Sequence, residues 1–153
     1  YTGTMRNRPT NGMALTRTSL ALALVDWMDE QKNDRGIKIE IDPAYLVVPA
    51  ALMLDAAEIL KSTERPDTAN RAINVINSDF NIQPVVWKRI TDSKMWFLMA
   101  KPAQHHIMVY VREGFHTLHG VDDKAGSAWT RGEFRQDVGY SAPQGIYGSP
   151  GLS

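Results

Sequence analysis

Ile41-Asp42-Pro43-Ala44-Tyr45-Leu46-Val47-Val48-Pro49-Ala50-Ala51-Leu52 reads as a strand running directly into a helix. Asp42-Pro43 makes a turn. Tyr45 to Val48 carries no charge, as expected of a buried strand. Pro49 then opens a helix at a position where a missing N–H costs nothing. In that helix Leu52, Met53, Ala56, Ile59 and Leu60 are expected to form the buried stripe.

Upstream, Thr16 or Thr18 can cap a helix by accepting a backbone N–H bond. The run Ser19 to Met28 is rich in good helix formers, with Leu20, Leu24, Trp27 and Met28 predicted on one face. Asn33-Asp34-Arg35-Gly36 should end it, Gly36 suiting a left-handed cap. Ile37-Lys38-Ile39-Glu40-Ile41 alternates apolar and charged residues, which predicts a short strand or extended arm. Residues 1–13 show no periodicity. With a start at Tyr1, they read as the interior of a longer polypeptide.

Downstream, residues 62–70 form a polar loop around Pro66, and the remainder reads as mainly β. Strands are expected at 72–76, 85–90, 95–100, 107–111 and 132–138. Thr91-Asp92-Ser93-Lys94 is expected to join two of them as a hairpin. Residues 101–104 and 121–127 are breaks, and the Pro-, Gly- and Ser-rich tail at 141–153 is expected to be irregular. The order of elements predicts an α+β fold with a mixed or antiparallel sheet.

Lys plus Arg and Asp plus Glu are equal, at 17 each, so no strong field draws the chain to nucleic acid or an anionic membrane. A neutral subunit also lacks the self-repulsion that keeps copies apart. The absence of cysteine excludes disulfides and cysteine-based metal or redox sites. No apolar run is long enough to span a bilayer, the longest being broken by Asp26 and Asp55.

Four histidines, His105, His106, His116 and His119, are candidate metal ligands. On strands and turns adjacent ones point apart, and no HExxH pattern is present. The acid pairs Asp26/Glu30, Asp122/Asp123 and Glu133/Asp137 have the residue types of hydrolytic sites. Asp26 and Glu30 equally fit the solvated side of a helix, and Asp122 and Asp123 fit a turn. No nucleophile elbow, phosphate loop or dinucleotide fingerprint occurs. Trp129, Arg131, Phe134 and Arg135 mix basic and aromatic residues in the manner of a nucleic-acid surface, but Glu133 and Asp137 interrupt the positive charge. As a strand, this segment places Arg131, Glu133, Arg135 and Asp137 on one face with alternating sign. Such a row suits salt bridges to a neighbouring strand or subunit, and equally suits a solvated surface. The residues thus point to no catalytic, metal or cofactor site.

The order of segments carries a resemblance. The helix from Leu15 to Met28 is followed by the strand-to-helix run 41–52 and by Ala57-Glu58-Ile59-Leu60-Lys61-Ser62. Later come Trp96-Phe97-Leu98-Met99-Ala100, Ile107-Met108-Val109-Tyr110-Val111-Arg112-Glu113-Gly114, Arg131 to Tyr140 and Gln144-Gly145-Ile146-Tyr147-Gly148-Ser149. Together they resemble the C-terminal portion of a tailed-phage major capsid protein of the Mu-like major head subunit family. The resemblance implies a Hong Kong 97-like capsid fold with a spine helix, a peripheral domain sheet and an axial domain. Residues 1–14 would be an irregular linker from a missing N-terminal part, and 15–36 the spine helix of the peripheral domain. Residues 37–106 would build the axial domain, 107–140 would return mainly to the peripheral domain, and 141–153 would be the tail. The family's arm and most of its extended loop would be missing. The resemblance also implies a non-enzymatic subunit without cofactors. It would form pentamers and hexamers of an icosahedral shell around double-stranded DNA, without sequence-specific binding. Portal, scaffold, decoration and maturation-protease proteins are the further partners it implies. Its places are the virion and, during assembly, the host cytoplasm, with no membrane partner. The competing readings are a small α+β enzyme or metal-binding domain using His105, His106, His116 and His119, and a nucleic-acid-binding module.

Overall fold

The computed structural model describes residues 6–9, 11–33, 35–62 and 74–151, the side chain of residue 78 aside. They form an α+β fold in two compact units. One comprises residues 1–106 and 143–153, the other residues 107–142.

In the first unit, helix α1 (Arg17–Glu30) starts at Thr16. The Thr16 hydroxyl accepts from the Ser19 N–H (3.1 Å), and the Thr16 N–H donates to Ser19 Oγ (2.9 Å), a reciprocal cap. The helix stops at Glu30, earlier than its sequence suggests, because Gln31 turns extended and buries its amide. Gly36, at φ 77°, serves a separate turn whose N–H donates to the Asn33 carbonyl. The alternating segment 37–41 forms no regular strand. A single antiparallel bridge, Lys32 to Lys38, holds it, and Lys38 reaches Asp29 at 2.6 Å. That ammonium holds the Asp29 carboxyl below the usual carboxylate range.

Strand β1 (Pro43–Val48) leads through a 3-10 turn (Ala50–Leu52) into α2 (Met53–Lys61), with Pro49 at the junction. A short helix, α3 (Val75–Phe80), and strands β2 (Gln83–Val86) and β3 (Trp96–Ala100) follow. The strand expected at 72–76 is therefore corrected where it is described: Val75 and Ile76 are helical. Helical spacing lets Ile76 enter the core with Phe80 packed against it, and this outweighs the β-branched local preference. The buried Asn74 amide donates to the Ile59 carbonyl (2.7 Å) and the Ser62 carbonyl (3.0 Å), satisfying the end of α2. The loop expected at 62–70 lies, after Ser62, outside the described residues.

The sheet has the order β2-β1-β3-β6, where β6 is Ile146–Ser149. β1 pairs parallel with β2 and antiparallel with β3. Residues 91–94 consequently do not close a hairpin between β2 and β3, since the charge-free β1 lies between them. The tail is not irregular throughout either, because β6 pairs with β3. Gly145 sets up that return at φ 76°, where its N–H donates to Gln31 Oε1 (3.1 Å) and its carbonyl accepts from the Ala100 N–H.

All three helices pack on one sheet face. Leu20, Leu24 and Trp27 of α1, Ile59 and Leu60 of α2, and Ile76 of α3 share one core with Leu46, Val48, Trp96, Leu98 and Tyr147. Two long indoles anchor it. Trp27 Nε1 donates to the Ile41 carbonyl (2.6 Å) and Trp96 Nε1 to the Met13 carbonyl (2.9 Å). The Tyr147 hydroxyl donates to Asp26 (2.9 Å). Burial, and then that carboxylate, push the phenol well above the usual tyrosine range. Two expected core residues point outward: Met28 is 51% exposed, and Met53 is also exposed. None of the described helices is long and apolar enough to cross a membrane.

The second unit is a two-stranded antiparallel hairpin, β4 (Ile107–Asp122) and β5 (Ser127–Tyr140), much longer than the strands expected at 107–111 and 132–138. Asp122 Oδ1 caps its turn by accepting from the Lys124 N–H (3.0 Å).

Candidate functional site

The hairpin is the part of the molecule whose side chains the core does not use. Strand β5 is regular, so its residues alternate strictly between faces. Strand β4 carries register shifts between Val111 and Glu113 and between Glu113 and His116, and at 16 residues is two longer than its 14-residue partner. These bulges decide which side chains meet.

On one face, Glu113 lies opposite Arg135, His116 opposite Glu133, and Leu118 opposite Arg131. Arg131 pairs with Glu133, and Arg135 Nε lies 3.4 Å from Glu113. His116 sits between the two carboxylates, with Nδ1 3.6 Å from Glu113 and Nε2 3.6 Å from Glu133. Without the bulges Glu113 and His116, three apart, would point to opposite faces. The predicted charged row is thus assembled on one side, and two carboxylates and two guanidinium groups balance within the hairpin. Asp137 continues the row opposite Tyr110 and accepts from the Val138 N–H (2.8 Å). At the turn end, the Trp129 ring covers Gly120, leaving no room there for a Cβ.

Glu113, His116 and Glu133 bring ligand-type atoms within 4.8 Å of one another. Each carboxylate already faces an arginine, and each faces a different ring nitrogen. The arrangement is that of an ion-pair ladder, because both carboxylates are already engaged by guanidinium groups.

The opposite face is uncharged. It presents Ile107, Val109, Val111, Thr117, His119 and Val121 from β4, with Ala128, Thr130, Phe134, Gln136, Val138 and Tyr140 from β5. Phe115, beside the bulge, lays its ring on Gly132 of this face. Phe115, Phe134, Val138 and Tyr140 are 60% to 76% exposed. Sequence reasoning noticed the charges and missed this apolar row, although Phe134, Val138 and Tyr140 lie in register two and four apart.

The histidines do not gather. His116 lies on the charged face, and His119 on the uncharged one, where Nδ1 is 3.0 Å from Thr130 Oγ1. His105 and His106 belong to the first unit, in the turn before the hairpin. The acid pairs are similarly occupied. Asp26 is not on a freely solvated face but takes the Tyr147 hydroxyl, and Glu30 lies 3.5 Å from Lys32. The concavity between α1 and α2 is lined by Leu15, Arg17, Asp55, Glu58 and Ile59, with no histidine.

A hairpin with one internally ion-paired face and one exposed apolar face has the chemistry of a contact element. Against this geometry, the family model for phage capsid protein matches residues 2–147, nearly the whole chain. The chain belongs to the phage capsid protein family. Comparison of this capsid protein with curated proteins and with solved structures gives no match. The family gives the capsid protein a structural role as a component of a phage particle.

Proposed function

We propose that this capsid protein self-assembles into pentamers and hexamers that close an icosahedral shell around double-stranded DNA, with the hairpin as its reaching element. The observation that carries this reading is the β4–β5 hairpin. Its strands pair only with each other among the described strands, and it exposes an apolar row along one face. A two-stranded ribbon is marginal in water until something covers it. A shell supplies that cover from neighbouring copies, and small angular changes let one surface serve different ring sizes. The alternating row Arg131, Glu133, Arg135 and Asp137 offers sign-matched contacts at the rim of such an interface. The neutral chain lines packaged DNA without gripping its sequence. The subunit acts structurally, without a cofactor, in a Hong Kong 97-like arrangement. It passes from host cytoplasm to virion alongside portal, scaffold, decoration or protease partners.

The enzyme and metal readings lose support because the four histidines are dispersed and the carboxylates flanking His116 are each paired with an arginine. The nucleic-acid reading loses its basis because Arg131 and Arg135 each pair with a glutamate. Sedimentation and electron microscopy of the expressed chain test the proposal. Closed shells or capsomeric rings are expected, and a strict monomer across concentration and salt overturns it.

A further inference from the structure

We propose that the apolar outer face of the four-stranded sheet receives the apolar face of the β4–β5 hairpin from a second copy of this chain. This rests on the self-assembly reading and specifies which surfaces meet.

The outer face follows from the register: Val85 beside Val47, Val47 and Tyr45 beside Phe97 and Met99, and Met99 beside Ile146. No residue of this face belongs to the helix-covered core. Val47, at the centre, is only 7% exposed, yet it too lies outside that core. Val85, and Trp87 one step past β2, are exposed at the edge. The face therefore has the composition of a sheet interior and, among the described residues, no helical layer over it.

The two faces fit each other chemically. Tyr45, Val47, Val85, Phe97, Met99 and Ile146 on one side are uncharged, as are the alternating hairpin residues on the other, and the exposed Arg8 lines the same concavity as Phe97 and Ile146. The charge beside this face, Arg8, is exposed and on a stem long enough to keep its guanidinium in water when the faces stack. Another exposed apolar stripe, Leu22, Val25 and Met28 on α1, lies beside Asp29, which is paired with Lys38, and is a poorer seat. Stacked sheets sit about 10 Å apart, a spacing that Phe134 and Phe97 side chains can bridge.

Area argues for a second copy in a ring rather than an isolated pair. The hairpin is roughly 45 Å long at about 3.3 Å per residue, whereas the four-stranded face offers only roughly 300 Å². A stable interface needs about 800 Å² from each partner. One hairpin-on-sheet contact falls short of that alone. Because the giving and receiving surfaces differ, the contact is heterologous, so every copy both gives and receives and the contacts accumulate on closure.

The chain has no native cysteine, so single-cysteine variants report contacts directly. Val138→Cys (hairpin) and Val85→Cys (sheet) chains would be mixed, assembled and treated with a short bis-maleimide. Both positions are exposed, so both variants should fold. Val111→Cys with Ile146→Cys serves as a second pair. The expected result is a cross-linked dimer joining positions 138 and 85, present in the mixture and absent from either variant alone. Since each chain carries one cysteine, the link cannot form within a chain. Particles that assemble without this link overturn the proposal while leaving self-assembly standing. A 138-to-138 link as strong as any mixed one overturns it in favour of hairpin-on-hairpin pairing. A chain that stays monomeric overturns both this proposal and the reading beneath it.

Discussion

Replacing Phe134 by threonine should weaken assembly far more than it weakens the folded subunit. Phe134 is 60% exposed on the apolar hairpin face. A phenylalanine offers on the order of 200 Å², so roughly 120 Å² remains to be covered by a neighbour. At about 25 cal/mol per Å², that is about 3 kcal/mol for each contact formed. Losses on association make this an upper bound, and about 1.5 to 3 kcal/mol corresponds to a roughly 10- to 100-fold weaker contact. Threonine keeps a β-branched strand preference, so the hairpin itself should persist. A surface substitution of this kind normally changes subunit stability by no more than about 0.5 kcal/mol. The assay is the threshold concentration for assembly, read by light scattering and sedimentation, with thermal unfolding measured on the dissociated subunit. The expected outcome is a raised threshold with a nearly unchanged Tm. A threshold that does not move refutes the idea that this face is covered on assembly. An equal loss of subunit stability refutes the idea that the face is bare in the subunit.

Trp27→Phe should destabilise the first unit by about 1 to 3 kcal/mol in denaturant unfolding, since it orphans the Ile41 carbonyl and leaves a void. Gly145→Ala forces a Cβ to within 2.9 Å of the Gln104 carbonyl oxygen at φ 76°, so a loss of about 1 to 3 kcal/mol is expected by the same measurement. The raised Tyr147 phenol predicts that stability is intact below the ordinary tyrosine value of 10.0 and falls as pH climbs beyond it. The folded state holds the proton that the unfolded state releases. Tyr147→Phe should flatten that alkaline decline while costing about 1 kcal/mol near neutral pH. Glu133→Gln, in a half-exposed ladder, should change subunit stability by less than about 1 kcal/mol, with the difference fading at high salt.

Much of the candidate site was legible in part. The alternation of Arg131, Glu133, Arg135 and Asp137 was readable because β5 is an unbroken strand with period two. Its partner was not, because the bulges in β4 break that period between Val111 and His116. Phase is lost at each extra residue, so the pairing of Glu113 with Arg135 and the placement of the Phe115 ring on Gly132 could not be counted off from sequence. The apolar row was overlooked for a different reason. An exposed valine or phenylalanine has the same local signature as a buried one, and only the missing second layer distinguishes them.

Local chemistry determined the parts of this protein that depend on near neighbours in sequence. The Thr16 cap, the apolar stripe through Leu20 and Trp27, the charge-free strand ending at Pro49 and the helix after it all follow from spacings of a few residues. The neutral charge and the absence of cysteine likewise narrowed the function before any fold was known. Tertiary structure decided what depends on distant partners. It placed β1 between β2 and β3, turned Val75 and Ile76 into helix, recruited the tail as β6, and left Phe115, Phe134, Val138 and Tyr140 of the hairpin exposed. Strand neighbours and face coverage are set by which far-apart segments bury each other, a long-range free energy that no local pattern encodes.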